Sequence, residues 1–184
     1  MFLIRRPTQK IIEAFLLKQA GSGFSYSEVG ATKSAPPGSY TVDHNRIRIG
    51  RGREAFERGK ENIRRWQMFN LGWVDLFPRN APIIAGTTVA PVVRHFGFWS
   101  LNACRIVYVI QEPRRFGFAY GTLREHAEKG EERFSIEWSE DDSVYYDILA
   151  FSRPRQVPVR VALPLSRMLQ KRFARDSMKA MLFQ

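Results

Sequence analysis

The stretch Glu132-Arg-Phe-Ser-Ile-Glu-Trp138 alternates strictly: Phe134, Ile136 and Trp138 fall on one side, and Arg133, Ser135 and Glu137 on the other. Side chains repeating every second residue mark a strand with one face buried and one face wet, the signature of an antiparallel sheet. Working outward, Arg115 to Thr122, Ala103 to Gln111 and Thr87 to Phe96 precede it as strands, and Val144 to Ser152 follows. Their connections suit hairpins: Gly97 to Asn102, Glu112-Pro-Arg114, a longer Leu123 to Gly130 loop, and Ser139-Glu-Asp-Asp-Ser143. From Gly86 to Arg153 the chain is thus strand and turn, and it closes on one amphipathic helix from about Pro164 to Phe183. Serial antiparallel strands need a cover for their apolar face, and a helix laid across a curved sheet leaves a cavity beneath it. The expectation is an α+β fold in which a curved antiparallel sheet grips a long C-terminal helix.

Upstream, a strand from Tyr40 to Ile49 leads through Gly50-Arg-Gly52 into a helix ending near Trp66, with Ala55, Phe56, Gly59, Ile63 and Trp66 on one stripe at roughly 100° per residue. A short strand, Trp73 to Phe77, follows. Thr8 to Ala20 reads as a helix with Thr8 as cap and Gly21 as stop, and a Gly/Ser/Pro-rich link runs through Gly38. Residues 1–39 are therefore an N-terminal helical extension, and residues 40–184 a single domain. Gly50-Arg-Gly52-Arg-Glu-Ala55 matches a dinucleotide-binding fingerprint, but the preceding Asn45-Arg-Ile-Arg-Ile49 alternates with charge, unlike a central parallel strand. That motif is read as accidental, a reading that fails if residues 40–77 form parallel strands.

The 184 residues, 44% apolar and 13% aromatic, suit one soluble globular domain, and no apolar run approaches the roughly 20 residues of a membrane helix. No secretory signal is visible at the start, and the single cysteine, Cys104, excludes an internal disulfide and a cysteine-based zinc cluster. A cytoplasmic location follows. The formal charge of +11, with 22 arginines among 29 basic residues, keeps nucleic acid or anionic lipid open as a lesser partner. The three histidines, His44, His95 and His126, show no ligand spacing, so no metal and no cofactor is expected.

In the closing helix, Leu165, Met168, Leu169, Phe173, Ala180 and Phe183 make the apolar stripe, with Arg172 and Asp176 near its middle. Charges there must pair with each other or meet a polar ligand. Phe116, Phe118 and Tyr120 point to one side of their strand while Gly117, Ala119 and Gly121 leave the other side bare, room for a packed neighbour or a ligand. Asp147 shares a face with Tyr145, Leu149 and Phe151, where a carboxylate is either ion-paired or an acid/base group.

Several blocks together carry a family likeness: Asp43-His-Asn-Arg46, Gly50-Arg-Gly52, Arg65-Trp66, Gly86-Thr-Thr88, Arg105-Ile-Val-Tyr108, Phe116 to Thr122, Gly130-Glu-Glu-Arg133, Ala150 to Pro154 and Arg172 to Ser177. The chain resembles the domain-of-unknown-function family nineteen-ninety along nearly its whole length. That family brings no reaction or catalytic residue with it. It is similar at fold level to the START and Bet v 1-like superfamily of polyketide cyclases and lipid-transfer domains, which implies a helix-grip architecture and a hydrophobic or amphipathic small molecule between sheet and helix. On that expectation Tyr108, Tyr120, Trp138 and Tyr146 supply wall and hydroxyl anchors, and His44, Asp147, Arg172 and Asp176 supply polar contacts. The alternatives are an enzyme of the cyclase, dehydratase or hydrolase kind using Asp147 or Asp176 as acid/base, and a basic module for nucleic acid or anionic membrane.

Overall fold

Alternation of the expected kind organises a nine-stranded sheet in the computed structural model, which describes residues 1–154 and 162–182. The strands are β1 (Phe2–Leu3), β2 (Thr41–Arg51), β3 (Val74–Phe77), β4 (Thr88–Arg94), β5 (Trp99–Leu101), β6 (Cys104–Glu112), β7 (Arg115–Thr122), β8 (Glu128–Trp138) and β9 (Ser143–Pro154). Their order is β1-β5-β4-β6-β7-β8-β9-β2, with β3 paired to β4, and every pairing is antiparallel. Residues 40–77 thus form no parallel strands, and the dinucleotide reading falls. The helices are α1 (Gln9–Gln19), α2 (Gly52–Arg64) and α3 (Ala162–Met181). No described helix is long and apolar enough to cross a membrane.

The curved sheet folds its concave face over two covers. One is α2, which buries Ala55, Phe56 and Ile63; a Cβ on Gly59 would come within 3.0 Å of Ile136, so the missing side chain sets how closely helix and sheet approach. The other is α3. Tyr146, Phe118, Phe134 and Ile136, all fully buried, form the floor between them, each worth about 1.5–3 kcal/mol of apolar burial. The row of α3 that meets the sheet is Leu169, Phe173, Ser177, Met178 and Met181, with Ser177 and Tyr146 sharing a 2.9 Å hydrogen bond. This corrects the expected stripe by about one position: Met168 is 47% exposed, and Arg172 and Asp176 lie on the flank instead of the middle. The side chains of Leu165 and Phe183 lie outside the described residues.

The convex face is covered too, by the chain before β2. Ile12 and Phe15 of α1 pack on Ala90, Val92 and Leu101 of β4 and β5. Further on, Tyr26 and Tyr40 set their rings edge-on to Phe151 of β9, at 5.7 and 5.0 Å. The bare side of β7 accommodates this layer: a Cβ on Gly121 would sit 2.0 Å from the Tyr26 hydroxyl. Glu131 of β8, 3% exposed, anchors the segment by accepting hydrogen bonds from the Tyr26 hydroxyl (2.7 Å), the Gly30 N–H (2.7 Å), the Thr32 N–H (3.0 Å) and the Thr32 hydroxyl. Removing that carboxylate strands four buried or part-buried donors. Glu131→Ala is expected to lower the unfolding free energy by about 3 kcal/mol in urea titrations, against a few tenths for the exposed Glu140→Ala.

Candidate functional site

Between α3 and the concave face lies a cavity of about 920 Å³, large enough for a drug-sized molecule. Phe69, Trp73, Leu169, Phe173 and Met178 make its apolar side. The aromatic packing is tight, with Phe69 centred 5.3 Å from Phe173 and 6.1 Å from Tyr120. Its polar side comes from the strands. Because Phe134 and Ile136 of β8 point inward, so does Glu132 two residues earlier, and Tyr120 of β7, its Cα partner across the ladder, donates its hydroxyl to Glu132 Oε2 at 2.9 Å.

Burial in this apolar surround pushes the Glu132 carboxyl up to about 7; the Tyr120 hydrogen bond works the other way, and the charges of Glu128 and Asp43 add to the rise. The Tyr120 hydroxyl is held well above its ordinary value, by burial first and by Glu132 second. His126 also lines the cavity; burial drops it to about 4, against the pull of Glu128, so its ring is neutral near pH 7. Its Nδ1 lies between the Glu128 N–H at 3.0 Å and the Glu128 carbonyl oxygen at 3.2 Å, so the backbone of that one residue fixes the ring.

A polar clamp fastens the N-terminal half of α3 over this end. Arg167 binds Asp43 of β2 bidentately at 2.6 and 2.7 Å, and Gln170 donates to Glu128 at 2.6 Å and to Ser152 at 3.0 Å. Ser166 donates to the other oxygen of Glu128.

Of the eight residues expected at the pocket, only Tyr120 lines this cavity. Trp138 faces inward but at the far end, against Phe56 of α2, with its indole N–H on Asp142 at 2.8 Å. Tyr146 is wholly buried beneath α3. Tyr108 is on the convex face, because a bulge between Ile106 and Tyr108 slips the register by one residue and reverses its side; its hydroxyl meets Thr32 at 2.8 Å. Asp147, next to inward Tyr146, must also point outward: it is 1% exposed and held by Arg133 Nη2 at 2.9 Å and His44 Nε2 at 2.6 Å. His44 and Asp147 are thus a convex-face ion network, with Arg46 at 3.7 Å, rather than pocket groups.

Arg172 lies 4.3 Å over the Trp73 ring and 3.5 Å from Asp176, which also accepts the Trp73 indole N–H at 3.1 Å. Although burial works against it, the bonds from Trp73 and Arg175 and the nearby guanidinium charges keep the Asp176 carboxyl below its ordinary value. The pair ties α3 to the turn before β3. Glu132 was legible by extending the Phe134-Ile136-Trp138 alternation back one more step, and His126, in the expected loop before β8, carried no pattern.

The curved antiparallel sheet, the helix it grips and the cavity between them place this structure in the Bet v 1/START helix-grip fold class. The chain belongs to the domain of unknown function family DUF1990, whose model matches residues 25–180. A UPF0548 protein of Dictyostelium discoideum is 33% identical over 204 aligned positions, covering 99% of this chain and 94% of its own. A second UPF0548 protein, from Deinococcus radiodurans, is 38% identical over 188, covering 95% and 94%. Among solved structures, the hypothetical protein jhp0584 of Helicobacter pylori superposes with a TM-score of 0.57 at 8% identity, over 87% of this chain and 94% of that one. Ara h 8.0201 gives 0.51 at 9%, over 77% and 95%. At such identities the likeness is one of fold.

In the unfolded chain Glu132 ionises near 4.5, and in the folded chain near 7. The folded state therefore holds the extra proton between those values, and stability falls as pH rises through that window. Glu132→Gln is expected to gain stability over the parent as pH goes from 4 to 8, by at most about 3.5 kcal/mol at roughly 1.4 kcal/mol per unit, and to run parallel to it above pH 8 in denaturant titrations.

Proposed function

We propose that this protein binds an amphipathic small molecule between its sheet and α3. The observation that carries the reading is the cavity of about 920 Å³, whose apolar walls run to a polar end that includes the hydrogen-bonded pair Tyr120 and Glu132. A protein that leaves such a space beside a polar pair sacrifices packing that Leu or Phe would supply, a loss that a bound molecule recovers. The apolar body would lie along Phe69, Phe173 and Met178, and the polar head would meet Tyr120 and Glu132. The fold shared with Ara h 8.0201 supports a cavity of this kind by analogy only.

A carboxyl titrating at about 7 favours one second reading, acid/base chemistry on the molecule so held, with Glu132 taking the role first expected of Asp147 or Asp176. Glu132→Gln would then abolish turnover while retaining binding.

Ala150 of β9 faces the cavity and is only partly buried, so a larger side chain there fills the space without invading the core. The neutral dye Nile red is expected to brighten on the wild-type protein, and Ala150→Phe to weaken its binding tenfold or more with an unchanged melting temperature. A dye that binds both proteins alike would place its site elsewhere.

A further inference from the structure

The hydrogen-bond inventory of the cavity's polar end is lopsided. Beside Glu132 four donor residues are spent on neighbouring acceptors: Tyr120 on Glu132, Arg167 on Asp43 and Gln170, Gln170 on Glu128 and Ser152, Ser166 on Glu128; among the described residues the Asn45 amide, on β2, makes no such bond. The acceptors are in surplus. Among the described residues Glu132 Oε1 has no hydrogen-bond partner, and neither Glu128 nor Glu132 has a cation within 4.0 Å, while the one guanidinium at this end is committed to Asp43. Beside Glu132 stand the rings of Tyr120, Phe69 and Phe173, whose faces attract a positive charge. A ligand fits this end by bringing N–H donors and a positive charge.

We infer that the molecule bound here is an amphipathic amine, its ammonium group seated on Glu132 among the rings of Tyr120, Phe69 and Phe173 and its apolar part running beneath α3. This rests on the small-molecule reading above. Lys171 and Arg175 also touch the cavity, but from the exposed outer side of α3, where Arg175 is 61% exposed and bonded to Asp176. An acid head would therefore stop at the rim, and the two ligand chemistries would occupy opposite ends.

The groups around Glu132 are Tyr120 from β7, Tyr146 from β9, Cys104 from β6, Asp43 from β2, which Arg167 of α3 binds, and Glu128 at the start of β8, which meets His126 of the preceding loop. With the empty-site carboxyl at about 7, an ammonium below that pH must displace its proton, so binding tightens as pH rises. Between pH 6 and pH 8 the ionised fraction rises about tenfold.

The test displaces Nile red from the full chain with decylamine, 1-decanol and decanoate, matched in length and used below their micelle concentrations, on the wild type and Glu132→Gln. At pH 8 decylamine is expected to bind at least tenfold more tightly than decanol, and Glu132→Gln to erase that advantage. Its affinity for the wild type is expected to tighten about tenfold from pH 6 to pH 8. Decanol should show neither effect. Decanoate binding as well as decylamine, an amine affinity unmoved by Glu132→Gln, or a flat amine pH profile would each overturn the ammonium assignment while leaving the small-molecule reading standing. Failure of the dye and all three probes to bind would overturn that reading and the assignment with it. The pH profile of the unmutated protein makes the outcome independent of how the variant folds.

Discussion

One constraint governs both faces of the molecule: the period of two along β8, which makes Glu131 and Glu132 point to opposite sides of the sheet. Outward, Glu131 accepts four hydrogen bonds from the segment that crosses the convex face. Inward, Glu132 shares one with Tyr120 and lines the cavity beneath α3. The two carboxylates are neighbours in sequence with unlike surroundings. A slip of one residue would turn Phe134 and Ile136 out of the core and drive Arg133 and Ser135 into it, and would carry both carboxylates away from the partners they now meet. The register is held by Phe134 and Ile136 on one side and by Arg133 and Ser135 on the other, each of which fits only its own face.

Charge is sorted by the same geometry. The chain carries a formal +11, yet the inner end of the cavity presents carboxylates. Several arginines lie over aromatic rings: Arg46 over Tyr145 at 4.3 Å, Arg64 over Phe116 at 4.8 Å, Arg114 over Trp138 at 4.9 Å and Arg172 over Trp73 at 4.3 Å. Their stems cover apolar surface while their heads stay wet. Among the described residues much of the positive charge is thus spread as local stacking and ion pairing over several elements, while Lys171 and Arg175 reach the cavity from the exposed side of α3.

The serial strands and the closing helix were legible because period-two and helical alternation are local signals. What was illegible depended on which face another element covers. Asp147 and Tyr108 are as buried as any pocket residue, and a sheet covered on both sides gives its inner and outer rows the same apolar look. The bulge that turns Tyr108 outward has no mark in Arg105-Ile-Val-Tyr108. On α3 the small residues Ala174 and Ser177 are buried while Met168 is exposed, so weighting by hydrophobic size rotated the projection toward Met168, Arg172 and Asp176. Two very short strands, β1 and β5, lie where only a start segment and a loop were expected. Tertiary pairing alone makes them strands.

The central claim is that the space between sheet and α3 is a ligand site. Native mass spectrometry of the full chain, purified without denaturation from its own host, addresses it most directly. The expected result is a non-covalent adduct of a few hundred daltons on the wild type, lost when Ala150→Phe fills the cavity. A bare wild-type protein, or an adduct equally present on the filled variant, would contradict the account.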